Sequence, residues 1–318
     1  TALMCSSDRG FDNIIRELLI HKANSNLFTK QENMTALMMA ARRGYTKVVD
    51  ELLRKGTNID VNQRDTNGNT ALIYAIDSGN HNVTIKLLDS GAEPKHQGTK
   101  NTTALMLAVW KKNSEITSKI LATKASGTDI SIDAQDSSGN TALIHAIASQ
   151  QHNIAIELLD GGANPDLQNN DRITALMLAV TQGKGYLDVV QKILTNSNAS
   201  KKLLDMTAQA DGETALIMAI ESQNADVDII KTLLNKCADP NIQRTTDGVS
   251  ALLIATNRKY IHIVNELLKH CANPKLIGKT TKGQTVNAFD FVCSSNNQND
   301  LEICNLLNKA PVRCSACA

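Results

Sequence analysis

The chain has 318 residues, with 33 Lys and Arg against 32 Asp and Glu, a formal net charge of +1 at pH 7. This balance supplies no global field for nucleic acid or an anionic membrane surface, and no stretch reaches the roughly 18 consecutive apolar residues of a membrane helix. The 42% hydrophobic content argues against disorder, while only 3% aromatics is too little for one large core and suggests many small interfaces filled by Ala, Leu and Ile.

From the first residue the chain repeats itself. Thr1-Ala2-Leu3-Met4 returns as Thr35-Ala36-Leu37-Met38, Thr70-Ala71-Leu72-Ile73, Thr103-Ala104-Leu105-Met106 and Thr141-Ala142-Leu143-Ile144. It continues at Thr174-Ala175-Leu176-Met177, Thr214-Ala215-Leu216-Ile217 and Ser250-Ala251-Leu252-Leu253, and ends in a degenerate copy at Asn287-Ala288-Phe289-Asp290. Successive anchors are 34, 35, 33, 38, 33, 40, 36 and 37 residues apart. Each period predicts two short helices. A Thr N-cap opens the first, whose Ala-Leu-x-x-Ala places small and large apolar groups on one face. In the second period the first helix ends near Gly44. The next helix carries the stripe Val48, Val49, Leu52, Leu53, with Gly56 expected to stop it in a left-handed conformation. Helices this short are marginal alone and require stacking on their neighbours.

These units resemble ankyrin repeats. Asp65-Thr66-Asn67-Gly68-Asn69-Thr70 and Asp136-Ser137-Ser138-Gly139-Asn140-Thr141 match the start of the family pattern. Gly91-Ala92-Glu93-Pro94 and Gly162-Ala163-Asn164-Pro165 match its end. The resemblance implies an all-α ankyrin-repeat solenoid with β-hairpin fingers. About nine repeats lie near 1–34, 35–69, 70–102, 103–140, 141–173, 174–213, 214–249, 250–286 and 287–310, with a tail at 311–318. The family's Pro and His after the Thr are absent, so pre-organised backbone and a hydrogen-bonded link are lost. Cys237 and Cys271 stand where Gly ends a helix, which predicts a different turn at those corners. Two-repeat modules alternate: the copies at 70, 141 and 214 read Thr-Ala-Leu-Ile-x-Ala-Ile-x-Ser, those at 35, 103 and 174 Thr-Ala-Leu-Met-x-Ala. Extra residues lengthen the fingers around 126–133 and 197–211 and the turns at 183–185 and 225–226.

A start in mid-pattern at Thr1 reads as a piece of a longer protein, and seven scattered cysteines read as reduced thiols. Few residues stand in patterns that carry chemistry. Gly278-Lys279-Thr280 is similar to the end of a phosphate-binding loop, but Asn273 stands where its first glycine belongs. Cys314-Ser315-Ala316-Cys317 has half the spacing of a zinc ribbon and would need Cys293, Cys304 or Cys271 to complete it; a frayed tail is the simpler reading. His145 reads as a histidine satisfied by a finger carbonyl. No catalytic residue, metal or cofactor is expected.

The resemblance implies binding on the concave groove built from finger tips and first helices. Mapped onto this chain, the candidate partner-binding residues are Met34, Arg42, Arg43, Asp77, Trp110, Lys111 and Glu221. Arg42, Arg43, Lys100, Lys111 and Lys112 make one half of the groove basic, while Asp211, Glu213 and Glu221 make the other acidic. The leading expectation is a non-catalytic protein-interaction module, monomeric, with a protein partner, no membrane insertion and nucleic acid disfavoured. Two alternatives stand beside it: a sensor of an anionic nucleotide, stacked on Trp110 and held by Arg42, Arg43 and Lys111, and the targeting region of an enzyme whose catalytic domain lies elsewhere. Arrays of this kind are common in the cytoplasm. They are also common among effectors of intracellular bacteria, which would place the chain in the host cytosol or nucleus.

Overall fold

A computed structural model of the chain describes residues 1–56, 58–125, 127–196, 200–280, 282–295 and 297–310. Contacts group these into two compact units, Thr1–Ala163 and Asn164–Ala318.

The N-terminal unit contains five helix pairs: α1 Ala2–Arg9 with α2 Asp12–Ile20, α3 Ala36–Arg43 with α4 Thr46–Lys55, and α5 Ala71–Asp77 with α6 His81–Asp89. They continue as α7 Ala104–Trp110 with α8 Ser114–Ala125 and α9 Ala142–Ala148 with α10 His152–Asp160. First helices stack on first helices and second on second. Every predicted Thr anchor is an N-cap: its hydroxyl accepts the backbone N–H three residues on, at 3.2–3.3 Å in α3, α5, α7 and α9. The Ala and Leu that follow are buried, so the core is a row of small interfaces rather than one centre. Gly44 holds a left-handed φ of 77° at the end of α3. A side chain there would run into Asn80, whose amide donates to Ala41 O and Arg42 O and ties this corner to the next repeat. Gly56 differs from expectation: its φ of −63° is not left-handed, and a Cβ would press on the Leu52 carbonyl.

The C-terminal unit contains α11 Ala175–Thr181, α12 Leu187–Asn196, α13 Ser200–Leu204, α14 Ala215–Glu221, α15 Val227–Asn235, α16 Ala251–Asn257 and α17 Ile261–Lys269. A hairpin follows, β1 Gly278–Lys279 with β2 Thr285–Val286, and then α18 Gln298–Asn308. Two of the expected insertions, at 183–185 and 197–211, gained helix. Leu203 and Leu204 of α13 are buried, and Lys184–Tyr186 forms a 3-10 turn with Tyr186 buried. Gly278-Lys279 is the first strand of an antiparallel finger, not a phosphate loop. The degenerate repeat starts at Asn287, which caps a 3-10 helix, Ala288–Phe291, in place of a full first helix.

Cys237 and Cys271 do adopt left-handed φ, 68° and 73°, against the expected alternative turn. Cys237 N donates to Leu234 O and Ala238 N to Leu233 O, the same paired bonds that Gly91 and Ala92 make to Leu88 and Leu87. That pair of bonds satisfies otherwise orphaned carbonyls and outweighs a backbone cost on the order of 1–3 kcal/mol. Both residues are also disulfide-bonded, and Cys293 is joined to Cys304, so the expectation of reduced thiols fails here. That bonding removes Cys271, Cys293 and Cys304 as thiolate ligands for zinc. Cys314 and Cys317 lie outside the described residues.

The asparagines have a role beyond turns and caps. The Asn26 amide donates to Asn58 O and accepts from Asp60 N; Asn62 does the same to Gly91 O and from Glu93 N, and Asn241 to Cys271 O and from Asn273 N. Each amide occupies both a donor and an acceptor of the next repeat, where a hydrophobic side chain would leave them dependent on water. The fingers add a second register. Thr66 N reaches Glu32 O and Ser137 N reaches Lys100 O in one unit, Thr245 N reaches Asp211 O and Lys279 N reaches Asp247 O in the other.

Candidate interaction surface

In the N-terminal unit the predicted groove positions fall at the C-terminal ends of the first helices. Asp8 ends α1, Arg42 and Arg43 end α3, Asp77 ends α5 and Trp110 ends α7. Cations there complement the helix dipole, and acids do not unless paired. The structure pairs them across repeats. Arg43 Nε donates to Asp8 Oδ1 at 3.0 Å, and Arg42 Nη2 lies 3.7 Å from the same oxygen. The hydrogen bond from Arg43 holds the Asp8 carboxyl below its usual range. The Arg42 guanidinium sits 5.9 Å from the centroid of the Tyr74 ring, within cation–π reach. Lys111 Nζ lies 3.2 Å from Asp77 Oδ1. The basic half is therefore partly neutralised within the molecule; Lys100 and Lys112 remain exposed, with no ion pair among the described residues.

Trp110 is 40% exposed. Its ring meets His145 of the next repeat edge-on, with centroids 4.8 Å apart and planes at 82°. His145 is in turn fixed by a carboxylate rather than a carbonyl: its Nε2 is 2.8 Å from Asp136 Oδ2. Asp136 Oδ1 accepts the backbone N–H groups of Ser138 and Asn140, which shape the finger. A chain of contacts thus runs from finger backbone through Asp136 and His145 to the indole, presenting an aromatic face whose position is set before any partner arrives.

The two-repeat period has a physical basis here. Asp65 stands in its repeat where Asp136 does, and Tyr74 where His145 does. Asp65 accepts from Asn67 N, Asn69 N and the Asn69 amide, and from the Tyr74 hydroxyl at 2.6 Å. Burial, followed by the bond to Asp65, pushes the Tyr74 phenol up to about 12. The folded chain therefore keeps a proton that the unfolded chain gives up near pH 10. Tyr74 contributes stability that is intact below pH 10 and is lost as pH rises from 10 through 12. Ultraviolet titration of tyrosinate absorbance should show Tyr74 late, along with Tyr186, which burial also raises, and Asp65→Asn should bring only Tyr74 earlier; coincident titration of all four tyrosines would contradict the geometry.

Met34 is a correction. It is 1% exposed and belongs to the core, not to a binding surface. The residue before a cap is drawn beneath its finger: Met34 N donates to the Thr29 hydroxyl, and Thr29 N to Met34 O. Asn69 and Thr102, at the equivalent position, are buried too.

Glu221 lies in the C-terminal unit and is engaged by a residue that sequence reasoning did not single out. Arg244 Nη1 donates to Glu221 Oε1 at 2.8 Å and to Glu213 Oε1 at 3.0 Å, while its Nη2 reaches Asp247 Oδ2 at 2.7 Å. Burial opposes the Arg244 charge, but the hydrogen bonds to Asp247 and Glu213 raise its affinity for the proton overall. Burial, then the hydrogen bond with Glu213, pushes the Glu221 carboxyl up despite Arg244. The expected acidic half is thus largely answered from within. An arginine one finger beyond the mapped Asp211, Glu213 and Glu221 was the available signal. Beside this cluster is a cleft of about 420 Å³, lined by Leu253, Ile254, Arg258, Val286 and Phe291 among others.

The family description "Ankyrin repeats (3 copies)" matches overlapping segments at residues 3–98, 84–169, 105–205, 151–244 and 176–277. The chain belongs to the ankyrin repeat family. Ankyrin repeats are generally protein–protein interaction modules without catalysis of their own, and they imply protein partners. "Putative ankyrin repeat protein L371" of Acanthamoeba polyphaga mimivirus is 27% identical over 259 residues, covering 80% of this chain. "Ankyrin repeat and KH domain-containing protein mask-1" of Caenorhabditis elegans is 28% identical over 185 residues, covering 57% of the chain. The ankyrin chain spans 32% of the first protein's length and 6% of the second's. Among the described residues no helix is long and apolar enough to cross a membrane.

Proposed function

We propose that this ankyrin array is a non-catalytic interaction module whose N-terminal unit binds a partner protein on the surface around Trp110. The observation that carries this reading is the half-exposed indole held edge-on by His145, which Asp136 orients. Trp and Arg are the residue types that most often anchor interfaces, and a preset ring loses little freedom on binding. Lys111 and Lys112 follow the ring directly, and Arg42, Arg43 and Asp77 lie along the same row of first-helix ends, so a partner segment bearing carboxylates beside an apolar residue suits the surface. Arg42 and Arg43 turn toward Asp8 instead of converging with Lys111 beneath the indole, which weighs against a nucleotide phosphate site.

Affinity capture on immobilised wild-type chain and on Trp110→Ala, each analysed by mass spectrometry, tests the proposal. A partner retained by the wild type should fall by about tenfold or more on the variant, as expected for a hot-spot aromatic. Equal retention would move binding off this surface.

A further inference from the structure

We propose that the Cys293–Cys304 disulfide is a redox latch that holds the terminal helix α18 on the C-terminal unit. The last repeat is the weakest built. Its first helix is reduced to the four residues Ala288–Phe291, whereas α14 and α16 have seven each. Its buried apolar side chains are Ala288, Val292, Ile303 and Leu307, fewer than α16 and α17 together supply one repeat earlier. α18 packs on α17 and on the 3-10 helix.

Two ties compensate. Lys259 Nζ reaches the buried Asp300 carboxylate at 2.9 Å, joining the end of α16 to the start of α18. The disulfide joins the residue two beyond Phe291 to the middle of α18, across a separation of 11 residues. It crosses from the truncated first helix to the second within one repeat. Cys293 is exposed and Cys304 partly so, which leaves the bond open to a reductant.

A dithiol undoes the latch by ordinary exchange. Its thiolate attacks one protein sulfur, and the other protein sulfur leaves as a thiolate. The second reductant thiol then closes on the first to free the remaining cysteine. Two electrons and two protons pass from the dithiol to the protein, leaving two protein thiols and one reductant disulfide. With the loop opened, α18 is held only by its few buried contacts and the Lys259–Asp300 pair, less firmly than before, and Phe291 loses the anchor beside it. The latch does not depend on the groove binding a partner.

Hydrogen exchange with mass spectrometry tests it on the whole chain, with and without dithiothreitol. Peptides from 298–308 should exchange about tenfold faster or more after reduction, while α3 and α5 keep their protection. Cys237 and Cys271 are also disulfide-bonded, so the variant Cys293→Ser/Cys304→Ser isolates this bond. Its α18 should exchange like the reduced wild type, with protected α14 showing that the C-terminal unit has folded. Protection of α18 unchanged by full reduction or by the double substitution would overturn the latch. So would alkylation of Cys293 and Cys304, alongside the free Cys5, in air-oxidised protein before any reductant is added.

Discussion

Arg244→Ala should destabilise the C-terminal unit by about 3 kcal/mol, a cost at the lower end for removing one partner of a buried ionic cluster. One guanidinium serves Glu213, Glu221 and Asp247, whose side chains are only 17–29% exposed. Without it three carboxylates face one another in a poorly hydrated site. Arg244→Met, which restores apolar stem but no charge, should recover little, separating electrostatics from packing. The penalty should shrink as pH falls. The Glu221 carboxyl is already raised, so the folded state binds a proton where the unfolded chain has released it, and its own contribution favours folding as pH drops through that window. Urea titrations followed by circular dichroism near pH 7 and pH 4.5 would measure both effects; an unchanged midpoint at pH 7 would show that the cluster does not act as described.

Leu105→Ala should cost the N-terminal unit about 3 kcal/mol through lost transfer energy and the cavity left behind. Leu105 is fully buried in α7, between α5 and α9 and against α8, so no single neighbour can move in to fill the gap without leaving another. Stability in repeat proteins is close to a sum of repeat and nearest-neighbour terms, so hydrogen exchange should rise most in α5, α7 and α9 and less in α1. A uniform change throughout the unit would mean that it unfolds as one block.

The repeat was legible because its signals are local. A Thr cap, a following Ala-Leu and a Leu-Leu one helix later are all fixed by backbone geometry within one period, and the caps form where Thr35, Thr70, Thr103, Thr141, Thr174 and Thr214 predicted them. What escaped depends on residues a full period apart. Asp8 with Arg43 and Glu213 with Arg244 are separated by 35 and 31 residues, so mapped groove charges looked free when they were already answered. Met34 looked exposed because its finger position was judged by sequence offset, and the Thr29 hydrogen bonds that draw it inward are invisible there. The amide bridges from Asn26, Asn62 and Asn241 span 32, 29 and 30 residues and escaped for the same reason. The Asp-to-Tyr and Asp-to-His spacings at 65/74 and 136/145 were present in the sequence, but their meaning appears only once the helix folds back beneath its finger.

Photocrosslinking from the groove tests the central claim most directly. Lys112 replaced by p-benzoylphenylalanine, beside the intact Trp110 indole, should give a discrete adduct with a partner protein in lysate, and unlabelled wild-type chain should compete it away while Trp110→Ala chain does so poorly. The same group placed at Lys47, on the exposed surface of α4, should not give that adduct. Identical adducts from both positions, or equal competition by the wild type and Trp110→Ala, would contradict a binding surface centred on Trp110.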